Sequence, residues 1–285
     1  MKTFAILVSL TCALWAAGPE FDRARKLYDQ TAFDQSLQIL RAIPDKDAKV
    51  QALIGRNYYM QGEYKKATEA LEKAFAADSQ NGEYALWLGR SFGRRAETAS
   101  PFTAPGYASK ARQYFEKSVQ LSPRDLDALG DLFEYYLEAP GLLGGGMDKA
   151  EATAQQISLV SPSDGYLAQA KMAERHKQYS KAEEQLRRAV DMAPQKIGRL
   201  IELARFLTKQ GRLQEADQSL ARADHIAPDS PTLMYAKADL YIRSGRNLEL
   251  AKSLLTRYMS SDLTPDDPPR SDAAKLLRRA QSSGS

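Results

Sequence analysis

The chain has one cysteine, two histidines and two tryptophans among its 285 residues. A lone cysteine, Cys12, cannot close a disulfide within the chain. The fold must be held by packing alone, and it suits an oxidising compartment as well as a reducing one. The two histidines, His176 and His225, stand far apart without cysteine or paired carboxylates at metal-ligand spacing. Each reads as a surface residue, and neither a zinc site nor a Ser/His/Asp grouping can be built on them. No cofactor motif and no catalytic constellation is present, so no enzyme is expected. Beyond the N-terminal leader no apolar run approaches the ~20 residues that a membrane span needs. Charge of one sign is missing too: 40 basic residues face 36 acidic ones, for a net +4. A pI near 8.9 permits weak attraction to anions, but no nucleic-acid partner is expected from it.

What the chain does have begins with its first residues, MKTFAILVSLTCALWAAG. One lysine precedes an apolar run from Phe4 to Leu10 that continues to Trp15, and small residues follow. This is the layout of a secretory signal peptide, here residues 1–17. Removal near Ala16 or Ala17 leaves a mature chain without cysteine and without an integral membrane segment, expected in the periplasm or secreted. Ser9-Leu10-Thr11 before Cys12 lacks the pattern that marks a lipid anchor.

The remainder is organised around Ile197 to Pro228. Leu200, Leu203, Ala204 and Leu207 recur at helical spacing on one face. Gly211 ends that helix where a left-handed residue costs nothing. Leu213, Ala216, Leu220 and Ala223 form a second stripe, and Pro228 closes the unit. Ala204, Ala216 and Ala223 are as telling as the leucines, because two antiparallel helices reach roughly 8–10 Å only where contact positions are small. These residues resemble the tetratricopeptide repeat (TPR), a helix pair of about 34 residues, with Leu207 at the position of its aromatic. The small residue of the second helix recurs as Ser36, Ala67, Ala111, Ala150, Ala182, Ala216 and Ala251, at spacings of 31, 44, 39, 32, 34 and 35 residues.

The expected fold is therefore all-α: a superhelical solenoid of about seven TPR pairs plus a C-terminal capping helix. The units lie near residues 18–44, 48–79, 82–123, 126–162, 163–194, 197–228 and 231–263. Unit three carries ten extra residues, in which Pro101, Pro105 and Gly106 are expected to break any helix. Unit four carries five, as the loop Ala139-Pro-Gly-Leu-Leu-Gly-Gly-Gly-Met147. Residues 264–270, TPDDPPR, form a Pro-rich break. Ser271 is expected to cap a last helix with Ala273, Ala274, Leu277 and Ala280 on one side, and residues 271–285 make up that helix and a tail.

The resemblance implies a right-handed superhelix whose first helices line a concave groove for a protein or peptide partner. Its groove-facing position falls on Arg56, Arg90, Glu134, Lys171, Arg205 and Asp239, with Arg94 one turn beyond Arg90. The N-terminal part thus reads as basic and unit four as acidic, through Asp127, Asp131, Glu134 and Glu138. An acidic segment or a C-terminal carboxylate could pair with the arginines, while the alternative is a solvated face with Arg–Glu pairs between units. The family's Asn/Lys carboxylate clamp is absent. In the unit-four loop Pro140, Gly141, Gly144, Gly145 and Gly146 form a candidate partner-contacting rim. A phosphate cradle fails there, since Met147-Asp148 stands where Lys-Ser/Thr is required and no strand precedes it. The segment FEYYLEAPG with this loop resembles exported bacterial TPR proteins of unassigned role. The expected function is an exported scaffold or adaptor. The alternative is an envelope-assembly component that touches polysaccharide or membrane-associated machinery through the inserted loops.

Overall fold

The computed structural model describes residues 18–282, which hold fifteen α-helices and no strand. The leader, with Cys12, lies outside the described residues. Helices α1 (Pro19–Asp29) and α2 (Phe33–Ala42) form the first pair. Then follow α3 (Ala48–Met60) with α4 (Tyr64–Ala77), α5 (Gly82–Thr98) with α6 (Ala104–Leu121), and α7 (Leu126–Glu138) with α8 (Met147–Val160). The last pairs are α9 (Pro162–Arg175) with α10 (Tyr179–Met192), α11 (Ile197–Lys209) with α12 (Leu213–Ile226), and α13 (Pro231–Arg243) with α14 (Leu248–Ser260). A single helix, α15 (Arg270–Ser282), ends the array. Packing runs from each helix to its sequence neighbours, and next-neighbour contacts join α1 to α3, α3 to α5, α11 to α13 and α13 to α15. This is an α-solenoid, whose core grows by stacking rather than by thickening.

The pairing rests on small side chains. Ser36, Ala67, Ala111, Ala150, Ala182, Ala216 and Ala251 are all at most 1% exposed. A larger residue at any of them would push the paired helices apart. In units two and three the first helix contributes a glycine as well. A Cβ on Gly55 would lie 2.5 Å from Leu71 Cγ, and one on Gly89 would lie 2.5 Å from Phe115 Cδ1.

The turns inside five units share one geometry. Gly62, Gly211 and Gly245 take φ of 80°, 74° and 65°, and Thr31 and Lys177 take the same left-handed conformation at 57° and 58°. In each, the amide of the left-handed residue and the next amide turn back to the last carbonyls of the first helix, as in Thr31 N to Tyr28 O and Gly62 N to Tyr59 O. Unit seven is one residue longer, and Asn247, also left-handed, takes it up.

Units three and four differ. Of the expected breakers in unit three, Pro101 does lie in the break between α5 and α6, but Pro105 and Gly106 lie inside α6, so most of the ten extra residues do not form a loop. They lengthen the helices, α5 to 17 residues and α6 to 18. Pro105 sits in the first turn of α6, where its missing N–H has no helical partner to lose. Only residues 99–103 remain as the turn. In unit four the extra residues form a short 3-10 turn, Gly141–Leu143, between α7 and α8.

The cap also starts differently. Helix α15 begins at Arg270, with the amides of Asp272 and Ala273 bonded to Pro269 O, so Ser271 lies inside the helix rather than capping it. Ala273, Leu276 and Ala280 are its buried residues, and Ala274 and Leu277 lie at the margin. They pack on Met234, Ala238, Leu254 and Tyr258 of the last pair. From its first residue, Arg270 reaches back to donate to Thr31 Oγ1 between α1 and α2. The array thus curls until its last segment meets its first unit.

Two glycines of α5 give a matched test of the packing. Gly89→Ala should lower stability by about 1–3 kcal/mol through overpacking against Phe115, although alanine favours a helix. Gly93→Ala, where an added Cβ meets nothing within 4 Å, should raise it by up to ~1 kcal/mol. Urea unfolding of both variants checks the sign of each change.

Candidate partner-binding groove

The first helices carry their charges in rungs. Arg56 of α3 pairs with Glu83 of α5 at 2.7 Å. Arg90 of α5 pairs with Asp127 and Asp131 of α7 at 3.2 and 2.5 Å. Glu134 and Glu138 of α7 meet Lys171 and Arg175 of α9. Asp164 and Glu174 of α9 meet Arg199 and Lys209 of α11 at 2.7 and 3.1 Å. The basic character expected of the N-terminal part is therefore taken up in pairs, Arg56 by Glu83 of unit three and Arg90 by the acidic residues of unit four. Arg205 and Asp239, the remaining groove positions, pair within their own helices, with Glu202 and Arg243. Asp239 is moreover buried, with its carboxylate 11% exposed, because it lies in the last unit where α15 covers α13.

Arg56, Arg90 and Arg94 do come together. They line one cavity of about 900 Å³ with Tyr59, Tyr64 and Trp87 on one side and residues 265–269, Asp272 and Lys275 on the other. Glu134, Lys171, Arg205 and Asp239 lie outside it. Trp87 is held between two guanidiniums, Arg56 at 4.9 Å and Arg90 at 5.0 Å from its ring. Tyr59 packs edge-on to Trp87 at 5.2 Å and to Tyr64 at 5.5 Å. Arg94 lies over Tyr64 at 5.2 Å and donates to its hydroxyl at 3.1 Å. Cation–π contact and ion pairing together fix these arginines as flat platforms. Burial pushes the Tyr59 phenol up to about 12, with Arg94 and Arg90 opposing, so it stays neutral. Sequence periodicity gives no sign of the C-terminal wall, which arrives by long-range curvature.

Burial also raises Asp131 above the ordinary carboxylate value, against the pull of Arg90. A carboxylate raised on folding adds stability that is full below its unfolded pKa and is lost as pH rises through its folded one. Arg90→Met removes the opposing charge and should cost about 2 kcal/mol at neutral pH. The deficit against wild type should shrink as pH falls toward 3.8, the ordinary value, when Asp131 gains its proton. Urea midpoints of both proteins across that range check this, and a constant deficit would contradict it.

The unit-four loop is built inward. The amides of Leu143 and Gly145 bond to Pro140 O, that of Gly144 to Gly141 O, and that of Gly146 to Tyr136 O at 2.8 Å. Tyr135 donates to Leu143 O at 2.9 Å, and Lys149 to Gly144 O at 2.9 Å. With its N–H groups committed, the glycine run has no cradle for phosphate. A Cβ on Gly145 would lie 1.9 Å from Ala139 O, so that glycine serves close packing. Leu142 is left outward, 87% exposed. On the adjacent turn of unit three Phe102 is 96% exposed. His176 and His225 are exposed. Among the described residues no group of three or more His, Cys, Asp or Glu could hold a metal, and no helix is long and apolar enough to cross a membrane.

Residues 48–81 and residues 173–240 each match a tetratricopeptide-repeat family. No curated protein sequence matches the chain. Among solved structures, a thermophilic TPR protein of Thermus thermophilus is similar at TM-score 0.54 and 20% identity, over 66% of this chain and 97% of that one. A tetratricopeptide repeat protein of Parabacteroides merdae is similar at TM-score 0.57 and 13% identity, over 92% of this chain and 97% of that one. At these identities the likeness is one of fold, and it extends the helix-pair architecture across the array. The chain is a TPR-repeat protein.

Proposed function

We propose that this protein is an exported, non-catalytic scaffold that holds an extended segment of a protein partner in the cavity between α3, α5 and the C-terminal wall formed by residues 265–269, Asp272 and Lys275. The cavity carries the reading. It places three aromatic rings and three fixed guanidiniums along one wall, opposite a proline- and aspartate-bearing wall from the far end of the chain. TPR arrays serve protein–protein interaction, and a lining that alternates rings with paired charges suits a polypeptide of mixed side chains. A purely acidic segment would have to displace Glu83, Asp127 or Glu97 from the arginines, so it is a poorer fit than the sequence alone suggests. Export is supported by the leader layout of residues 1–17.

A second reading has the exposed Phe102 and Leu142 on neighbouring inserted turns engage envelope machinery. Crosslinking capture from the cell envelope separates the two. Arg94→Glu, at a half-exposed position in the cavity, should lower capture of a protein partner roughly tenfold, equal to about 1.4 kcal/mol. Phe102→Ser/Leu142→Ser should leave it unchanged. Loss in the second variant alone would move the site to the rim. Intact-mass measurement of exported protein should give an N-terminus near Gly18, and an intact Met1 in a cytoplasmic fraction would contradict export.

A further inference from the structure

The cavity just described is walled by two parts of the chain that are distant in sequence, and Arg270, beside its C-terminal wall, reaches across to unit one. Arg270 donates from Nε to Met259 O at 3.0 Å and from Nη2 to Ser261 O at 2.8 Å, which ties it to the end of α14. Its remaining nitrogen, Nη1, donates to Thr31 Oγ1, 239 residues away in sequence. A second cavity, of about 360 Å³, continues from the first. It has Phe33, Gln35 and Met60 on the N-terminal side and Leu263, Pro269 and Ser271 on the C-terminal side.

The strap between α14 and α15 is held from its own side. Asp267, 7% exposed, accepts from Thr264 N and Thr264 Oγ1 at 3.0 Å and from Thr232 Oγ1 at 2.7 Å. Tyr258 donates its hydroxyl to Pro268 O. The strap is thus anchored on unit seven and reaches unit one through Arg270.

Thr31 supplies an independent observation. It stands at the left-handed position of the unit-one turn, where units two, six and seven use Gly62, Gly211 and Gly245 and unit five uses Lys177, which is not β-branched. A β-branched residue at positive φ is strained, and such strain persists where the surroundings use the side chain. Here its hydroxyl is what Arg270 meets.

We propose that Arg270 and Thr31 form a clasp that closes the TPR array on itself and gates entry to the binding cavity. A partner segment enters when the C-terminal strap parts from unit one. The reading of the cavity as the partner site underlies this proposal. Closure therefore reduces apparent affinity by the fraction of open molecules.

The clasp can be read without any partner. In the full chain carrying Cys12→Ser, spin labels on Gln35→Cys and Ser271→Cys flank the gap, and both positions are exposed. Pulsed dipolar spectroscopy should show one short separation. Thr31→Gly removes the hydroxyl and relieves the left-handed strain, so the helical fold and melting temperature should hold. It should raise a long-separation population roughly three- to tenfold, the range one hydrogen bond spans. Thr31→Ser, which keeps the hydroxyl, should retain the short separation. Identical distance distributions in wild type and Thr31→Gly would overturn the clasp and leave the cavity reading standing. Opening in Thr31→Gly with no gain in partner capture from the envelope would overturn its role as a gate. If capture ignores Arg94→Glu in the open and closed forms alike, the cavity reading fails instead.

Discussion

Seven close helix crossings hold this molecule together. At each one a small residue of the second helix, from Ser36 to Ala251, is fully covered. That constraint sets the distance within each pair, and the pairs then stack because none can bury its apolar face alone. Larger side chains fill what remains, as Leu71, Phe115 and Leu220 do in their units. The turns follow from the same need. A left-handed residue reverses the chain tightly enough for the second helix to return along the first. Where units three and four carry extra residues, the crossings at Ala111 and Ala150 are kept, and the excess goes into longer helices or an inward-bonded loop.

Charge has a second, weaker role in the stacking. The rungs between α3, α5, α7, α9 and α11 bring opposite charges together on neighbouring first helices. Exposed pairs of this kind contribute little to stability individually, ~1 kcal/mol or less. Their effect on the groove is larger than their effect on the fold. They pair Arg56 and Arg90, which would otherwise make one end more basic, and hold both against Trp87, while Glu97 of the same helix pairs with Arg94 over Tyr64. What a partner meets is a set of oriented rings and paired ions rather than a field of one sign. Selectivity then depends on shape and hydrogen bonding more than on attraction at a distance.

Much of this was legible in the residues. The period of the small side chains and the apolar stripes of Ile197–Pro228 are consequences of helix geometry, and they carry the fold. Local rules failed where position within an element decides the outcome. Pro105 reads as a breaker, but a proline in the first turn of a helix loses no hydrogen bond. Ser271 reads as a cap, but the carbonyl of Pro269 already accepts the first helical bonds. The groove was half legible. Arg56, Arg90 and Arg94 fall on the expected face, while the pairing of Arg90 with Asp127 and Asp131 depends on how two units meet. The meeting of Arg270 with Thr31 depends on accumulated curvature over the whole array, and no local pattern encodes that. The one trace it left was a threonine at the left-handed turn position that Gly62 takes in the next unit.

A photo-crosslinking residue placed inside the cavity tests the central claim most directly. Gln61 lines that space at the turn of unit two, whereas Lys73 is exposed on the second helix of the same unit and outside it. With each substituted in turn and irradiated in the cell envelope, position 61 should join to a defined peptide of one protein and position 73 should not. Adducts from position 73 with none from position 61 would contradict binding in the groove.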